Sequence, residues 1–237
     1  MRPAKRRIIC DGTVMDMQQR LIAIGDSITL GHWDPSGGWI ARLRHAADEA
    51  VLSTEREQYA AVYNLGISSN TSADVLARYQ SEVSGRLLRT DDEEAYIALA
   101  VGINDSQLAN GKQLFSVESY EENMHKLLAL ALEAKDRVVV VGLTPVNQRL
   151  TTPVKWDKTK TKSFCNESIA IFNDAAANVA GSHGVAFADL FSDPVLQGED
   201  VHLNWDGLHL NTKGHDQIAQ IVGGTLVELG WKAWTTT

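Results

Sequence analysis

The stretch Leu21-Ile22-Ala23-Ile24-Gly25-Asp26-Ser27-Ile28-Thr29-Leu30 decides the fold. Four apolar residues in a row read as a strand buried on both faces, as the strands of a parallel sheet are. Gly25-Asp26-Ser27 then puts a hydroxyl where such a strand turns into the next helix. A serine there is either a nucleophile or an ordinary turn or helix-cap residue, and the stretch taken alone favours the second. The choice rests on whether the remaining chain supplies a base, an orienting acid and oxyanion donors.

Outward from that strand, the same alternation repeats. His32 to Gly38 reads as a loop, and Trp39, Ile40 and Leu43 open a helix that Ser36 is placed to cap. Tyr59-Ala60-Ala61-Val62-Tyr63 reads as a second strand ended by Asn64-Leu65-Gly66, followed by a helix from residue 72 towards 88. Asp91-Asp92-Glu93-Glu94 reads as a solvated turn, and Tyr96 to Val101 as a third strand ending in Gly102-Ile103-Asn104-Asp105. A helix over 117 to 134 sets Tyr120, Met124, Leu127, Leu128 and Ala131 on one face, before a fourth strand from Arg137 to Leu143 that Pro145 stops. Residues 147 to 162, rich in Thr and Lys, are the longest aperiodic segment and read as a loop, of the kind that often serves as a lid or binding loop. A helix through Ile169 and Phe172, a short strand at Val185 to Ala188 and a last helix over 212 to 229 complete the chain.

Strand and helix alternate five times, which requires a parallel sheet with helices on both faces and right-handed crossovers. Ser27, Gly66 and Asn104 each follow a different strand, so the periodicity predicts that their turns share the carboxyl rim, where such sheets hold ligands.

The 237 residues suit one large α/β domain, and 44% hydrophobic with 22% charged residues is the composition of a globular protein. A net charge of −8 argues against a broad nucleic-acid or anionic-membrane surface. Cys10 and Cys165 have no metal-type spacing and read as free thiols of a reducing compartment, so the expected location is the cytoplasm. The basic start, Met1 to Arg7, lacks the apolar run of a signal peptide, and no segment approaches the ~20 apolar residues of a membrane span. Residues 1–19 are expected to be a flexible arm before a domain over 20–237. Met15 and Met17 stand just before the first strand, so a shorter product beginning at one of them is a further expectation.

No Gly-x-Ser-x-Gly elbow, P-loop, His-Glu-x-x-His or dinucleotide glycine fingerprint occurs. What remains are four pieces: Gly25-Asp26-Ser27, Asn64-Leu65-Gly66, Gly102-Ile103-Asn104-Asp105 and Asp206-Gly207-Leu208-His209. In this order they resemble the SGNH hydrolases, or GDSL esterases and lipases, over residues 21–229. Each block alone is a weak signal, and the four together are a strong one.

The resemblance implies a flavodoxin-like, three-layer α/β/α sandwich with a five-stranded parallel sheet. It also implies Ser27 as nucleophile, His209 as general base, Asp206 as the group orienting it, and the N–H of Ser27, the N–H of Gly66 and the Asn104 amide as the oxyanion hole. A serine hydroxyl needs an imidazole to take its proton, and that imidazole needs an acceptor on its other nitrogen. Read without the other blocks, Asp206 and His209 simply cap the last helix. Leu210 follows His209 where many members have Pro, and Ile28 follows Ser27 where Leu is usual; neither change removes a catalytic group.

The implied activity is carboxylic ester hydrolysis through an acyl-serine, with sugar O-deacetylation, thioester cleavage or a catalytically silent binding module as alternatives. The expected partner is a small-molecule ester, with no metal, cofactor, nucleic acid or membrane insertion. Asp26 and Asp105 read as turn and cap carboxylates. His32, His183, His202 and His215 carry no assigned role. Trp33, Trp156 and Trp205 are candidates for a wall beside the substrate, and Lys155, Lys158, Lys160 and Lys162 for attracting an anionic one; packing and solvation are the alternative readings.

Overall fold

The computed structural model describes residues 9–10, 13–14, 18–54, 59–134, 136–155, 157–198 and 201–234. Met15, Met17, Trp156 and the whole basic start, Met1 to Arg7, lie outside these residues.

Five parallel strands form the central sheet: β1 (Gln18–Gly25), β2 (Tyr59–Gly66), β3 (Glu93–Ala100), β4 (Arg137–Val141) and β5 (Ala186–Ala188). Their spatial order is β5-β4-β3-β1-β2, so the chain reverses its direction of travel across the sheet between β1 and β3. That reversal opens a crevice at the carboxyl ends of those two strands, the place where α/β sheets of this order bind ligands. Gly25 of β1 is in register with Gly66 of β2 and Ala100 of β3, which sets the three following turns side by side.

Strand alternation sends side chains to two layers. Ile22, Ile24, Ile97, Leu99, Val138 and Val140 meet α3 (Ser72–Ser84), α4 (Val117–Glu133) and α5 (Asn166–Ser182) on one face. Leu21, Ala23, Tyr96, Ala98, Val139 and Val141 meet α2 (Gly38–Ser53) and α6 (Thr212–Glu228) on the other. Preceding α2 is α1, one short turn at Ser27–Leu30. Leu21, Ile22 and Ile24 are wholly buried, each burial stabilising the fold by roughly 1.5–3 kcal/mol. On α4, Tyr120, Met124, Leu127, Leu128 and Ala131 form the buried stripe their spacing predicts.

Four expectations change. The arm does not reach residue 19: Gln18 and Gln19 are already in β1, and buried Gln19 donates to Glu94 and to Gly230 O. Glu93 and Glu94 are not a solvated turn but the start of β3, where they pair with Arg20 at 2.6 Å and Arg137 at 2.7 Å. Residues 147–162 are not a plain loop. They hold a turn of helix, Gln148–Thr151, and the strand Val154–Lys155, which pairs antiparallel with Thr161–Ser163 in a small sheet completed by Leu108–Ala109 and Lys112–Gln113. Strands of two or three residues are too short to show a period. Ser36 does not cap α2; Gly37 is the capping residue, and Asp34 accepts from the Gly38 N–H at 3.0 Å.

Candidate active site

Ser27 is the first residue of α1, so its N–H has no acceptor within the helix and its side chain stands at the crevice. Asp26 caps this turn by accepting from the Ile28 N–H at 2.9 Å. The Asp26 carboxyl is buried. Desolvation pushes its pKa up to about 7, opposed by the Ile28 N–H, reinforced by the Asp105 charge and opposed again by His209.

From the far end of the chain, His209 Nε2 reaches Ser27 Oγ at 2.9 Å and His209 Nδ1 lies 2.6 Å from Asp206 Oδ2. Asp206 Oδ1 also accepts from the N–H groups of Leu208 and His209, at 3.2 and 3.1 Å. Desolvation is the largest single influence on Asp206 and acts upward, but the His209 hydrogen bond and charge and the two N–H groups together hold its pKa below the ordinary carboxylate value.

The tight loop depends on Gly207 at φ +72°, where a Cβ would also strike Leu150 Cβ at 2.8 Å. Asn147 donates its N–H to Gly207 O at 2.8 Å, and Asn204 donates to His209 O at 2.7 Å. The cap of α6 is Asn211, which accepts from Lys213 and Gly214, so Asp206 and His209 are not spent on that role.

Asn104 lies in the turn after β3 and donates its amide to Asn70 O at 3.0 Å, which brings the turn after β2 beside it. Asp105, buried, accepts from the Ser72 N–H and from Ser72 Oγ at 2.6 Å, fastening that turn to the start of α3. Gly66 does not stand as a free donor. Its N–H already donates to Asn64 Oδ1 at 2.9 Å, while Asn64 Nδ2 donates to Thr29 O at 2.9 Å. Glycine is needed there for a different reason: a Cβ would sit 2.2 Å from Leu30 N and 2.8 Å from Asp26 O, prising α1 off the sheet. Beyond Gly66, Asn70 donates its N–H to Ile67 O at 3.2 Å, and Ser69 adopts φ +67° within that turn. The N–H groups of Ser68 and Ser69 have no acceptor among the described residues.

Arg78 was not singled out by sequence, because an arginine on an amphipathic helix reads as solvated. It reaches from α3 to donate to Gly25 O at 2.9 Å, Leu65 O at 2.8 Å and Asn70 Oδ1 at 2.8 Å. One guanidinium thus ties the ends of β1 and β2 and the following turn together.

Aromatic rings crowd the outer side of His209. Trp33 meets it edge-on with centroids 4.8 Å apart, His32 lies 5.2 Å from it, and Trp33 stacks on Trp205 at 5.2 Å. Trp33 holds φ +66°, a conformation that costs a bulky residue roughly 1–2 kcal/mol. His215 is buried in the core, and desolvation lowers its pKa to about 4. His183 pairs with His125 at 2.9 Å on the surface. Lys155 and Lys162 lie on the small sheet, with Lys158 and Lys160 in its exposed turn around Asp157. Among the described residues, no three His, Cys, Asp or Glu side chains converge as a metal site, and no helix is long and apolar enough to cross a membrane.

Several solved structures share this architecture. The lipase/acylhydrolase from Enterococcus faecalis is similar with a TM-score of 0.68 and 21% identity, over 92% of this chain and all of that one (100%). LAE5, an alpha/beta hydrolase enzyme from the metagenome of Lake Arreo in Spain, gives 0.66 and 24%, over 91% and 98%. Axe2, an acetylxylan esterase from Geobacillus stearothermophilus, gives 0.66 and 19%, over 94% and 99%. At these identities the likeness is one of fold. No curated protein matches the chain. The sequence model of the GDSL-like lipase/acylhydrolase family matches residues 23–217, and the chain belongs to that family.

Proposed function

We propose that the protein is a serine hydrolase of carboxylic esters, with Ser27 as nucleophile, His209 as general base and acid, and Asp206 orienting the imidazole. The observation that carries this reading is the continuous relay from Ser27 Oγ through His209 to Asp206, with steps of 2.9 and 2.6 Å, beside the β1/β3 crevice. As Ser27 Oγ attacks the ester carbon, its proton passes to His209 Nε2, and the Asp206 carboxylate stabilises the imidazolium. The carbonyl π electrons move to oxygen. That oxyanion is held by the N–H of Ser27, by the amide hydrogen of Asn104 not given to Asn70, and by N–H from the turn of Ser68 and Ser69, which takes the role first expected of Gly66. When the intermediate collapses, the alcohol leaves with the proton from His209. Water then repeats the attack on the acyl-serine with His209 again as base, releasing the acid and restoring Ser27.

Axe2 is named as an acetylxylan esterase, which makes an acetylated carbohydrate the leading alternative to a simple ester. A thioester is open to the same machinery. The test is a panel of acetyl, butyryl and octanoyl esters, acetylated sugars and acyl thioesters, run with wild type and Ser27→Ala. Wild type is expected to turn over at least one class, and Ser27→Ala to lose roughly 10⁴-fold or more in kcat. Equal turnover by both proteins overturns the mechanism, and no turnover of any ester by wild type overturns the function.

A further inference from the structure

Trp33 and Trp205 stand out because they are large, apolar and open to solvent, at 47% and 78% exposure, with Trp33 packed against His209 and Trp205 stacked on Trp33. Their rings stack face to face, 24° from parallel with centroids 5.2 Å apart, so each covers one face of the other and Trp205 turns its outer face to solvent as a flat platform rather than an enclosed pocket. The loop carrying Trp33 is held by a dense network. The next residue, Asp34, accepts from Arg42 at 2.7 Å, Thr212 Oγ1 at 2.8 Å, the Gly38 N–H at 3.0 Å and the Ser36 N–H at 3.2 Å. Arg42 of α2 and Thr212 of α6, meeting on the buried Asp34 carboxylate, therefore anchor the strained backbone from which the exposed indole projects. Backbone strain maintained by such a network is characteristic of ligand sites.

The chemistry of the proposed reaction says which part of a substrate meets this face. His209 must protonate the departing alcohol oxygen, so the alcohol lies on the His209 side. The acyl oxygen lies on the side of Asn104 and the turn after β2. Trp33, packed on His209, accordingly borders the alcohol, and Trp205 extends that wall outward.

A flat indole platform matches the C–H face of a pyranose ring. It is a poor match for a long acyl chain, which needs a groove, or for a quaternary ammonium, which needs rings on several sides. A cavity of about 390 Å³ lies next to the loop that carries Trp205 and His209: it is lined by Leu203 and by Asn147, whose N–H donates to Gly207 O. Two of its lining side chains, Gln148 through its amide N–H₂ and Arg149 through its guanidinium, are donors with no acceptor among the described residues, as a ring of hydroxyl groups requires.

We propose that the stack of Trp33 and Trp205 is the alcohol-side subsite and that the alcohol it receives is a sugar, making the substrate an O-acylated carbohydrate. This rests on the ester-hydrolase reading above, and the experiment separates the two. For wild type, Trp205→Ala and Trp205→Phe, kcat/KM is measured on an acetylated xylo-oligosaccharide, on ethyl acetate and on acetylcholine, which share one acyl group.

The ratio of sugar ester to ethyl acetate is expected to fall about tenfold in Trp205→Ala, mostly through KM, and to recover largely in Trp205→Phe. In parallel, the Ser27→Ala protein is titrated with the acetylated sugar and its tryptophan fluorescence followed. A saturable change is expected, and it should vanish when Trp205→Ala is added. An unchanged ratio, a selective loss on acetylcholine, or a wild type active on ethyl acetate yet neither cleaving nor binding the sugar ester overturns the subsite and leaves the ester-hydrolase reading intact. Inactivity on all three acetyl esters, with no fluorescence change, overturns the subsite, and inactivity on the longer acyl esters and thioesters as well overturns both.

Discussion

The two ends of the central sheet carry polar networks of opposite character. At the amino end, Arg20 pairs with Glu93 and Arg137 with Glu94, Gln19 ties β1 to β3 and to Gly230 O, and Lys232 donates its N–H back to Gln19 at 2.8 Å. Each of these links joins protein to protein. At the carboxyl end, the polar groups are only partly used. Ser27 and His209 touch each other and the crevice, the N–H groups of Ser68 and Ser69 lack acceptors among the described residues, and the bulky Trp33 and the non-glycine Ser69 hold left-handed backbone. The first network closes the domain. On the proposed mechanism the second keeps hydrogen-bonding capacity for a reacting molecule, at a cost in local stability that the rest of the fold offsets.

This contrast predicts that substitutions at the two ends separate activity from stability. After Ser27→Ala, the largest effect is expected at Asn104→Ala, which should lower kcat by roughly 10²–10³-fold and move the melting temperature little. Steady-state kinetics and a thermal melt on the same sample check it, and unfolding at normal specific activity would reverse the assignment.

At the other end, Arg20→Met leaves the Glu93 carboxylate, 2% exposed, without its cation and should cost about 3 kcal/mol of stability. Urea unfolding measures that loss. Well below the melting temperature, kcat/KM should stay within about twofold of wild type, since Arg20 lies at the opposite end of β1 from Ser27. A large loss of kcat/KM in the folded variant would show that the two ends are coupled.

Asp26 sharpens the comparison through pH. Its carboxyl is raised from 3.8 unfolded to about 7 folded, so the native state holds a proton that the unfolded state releases earlier. The Asp26 contribution is therefore fully present below pH 4 and is lost as pH rises through about 7. Asp26→Asn keeps a capping side chain and removes the titration, so between pH 4 and 7 its stability curve should fall less than that of wild type. Parallel curves from denaturant melts would contradict it.

The smallest effect is expected at Ser69→Gly. Removing the Cβ at φ +67° should raise stability by up to about 1 kcal/mol while leaving the N–H in place, so activity should persist. A loss of activity above tenfold in a folded Ser69→Gly protein would mean that the hydroxyl, not the backbone, serves the reaction.

The sequence was most legible where a rigid local geometry follows from a few residues. The apolar runs of β1, β3 and β4 announced buried parallel strands, and Ser27, Asn104, Asp206 and His209 lie in short turns whose neighbours fix them. Gly66 shows the limit. A glycine at a strand end serves equally to expose its N–H or to omit a Cβ, and only Leu30 N, 2.2 Å from where that Cβ would be, decides for the second.

Glu93 and Glu94 looked solvated because their partners, Arg20 and Arg137, come from β1 and β4, and strand register is set by the whole sheet. Arg78 was hidden for a similar reason. Its acceptors are the carbonyls of Gly25 and Leu65, which the local helix pattern does not reveal.

The central claim is that Ser27 becomes covalently acylated while His209 moves its proton. A p-nitrophenyl alkylphosphonate, which leaves a stable tetrahedral adduct on an activated serine, tests this directly by intact mass and peptide mapping. The account predicts one adduct per chain, on Ser27, formed in step with loss of esterase activity and absent from His209→Ala. An adduct on another residue, or esterase activity that survives complete labelling of Ser27, would contradict it.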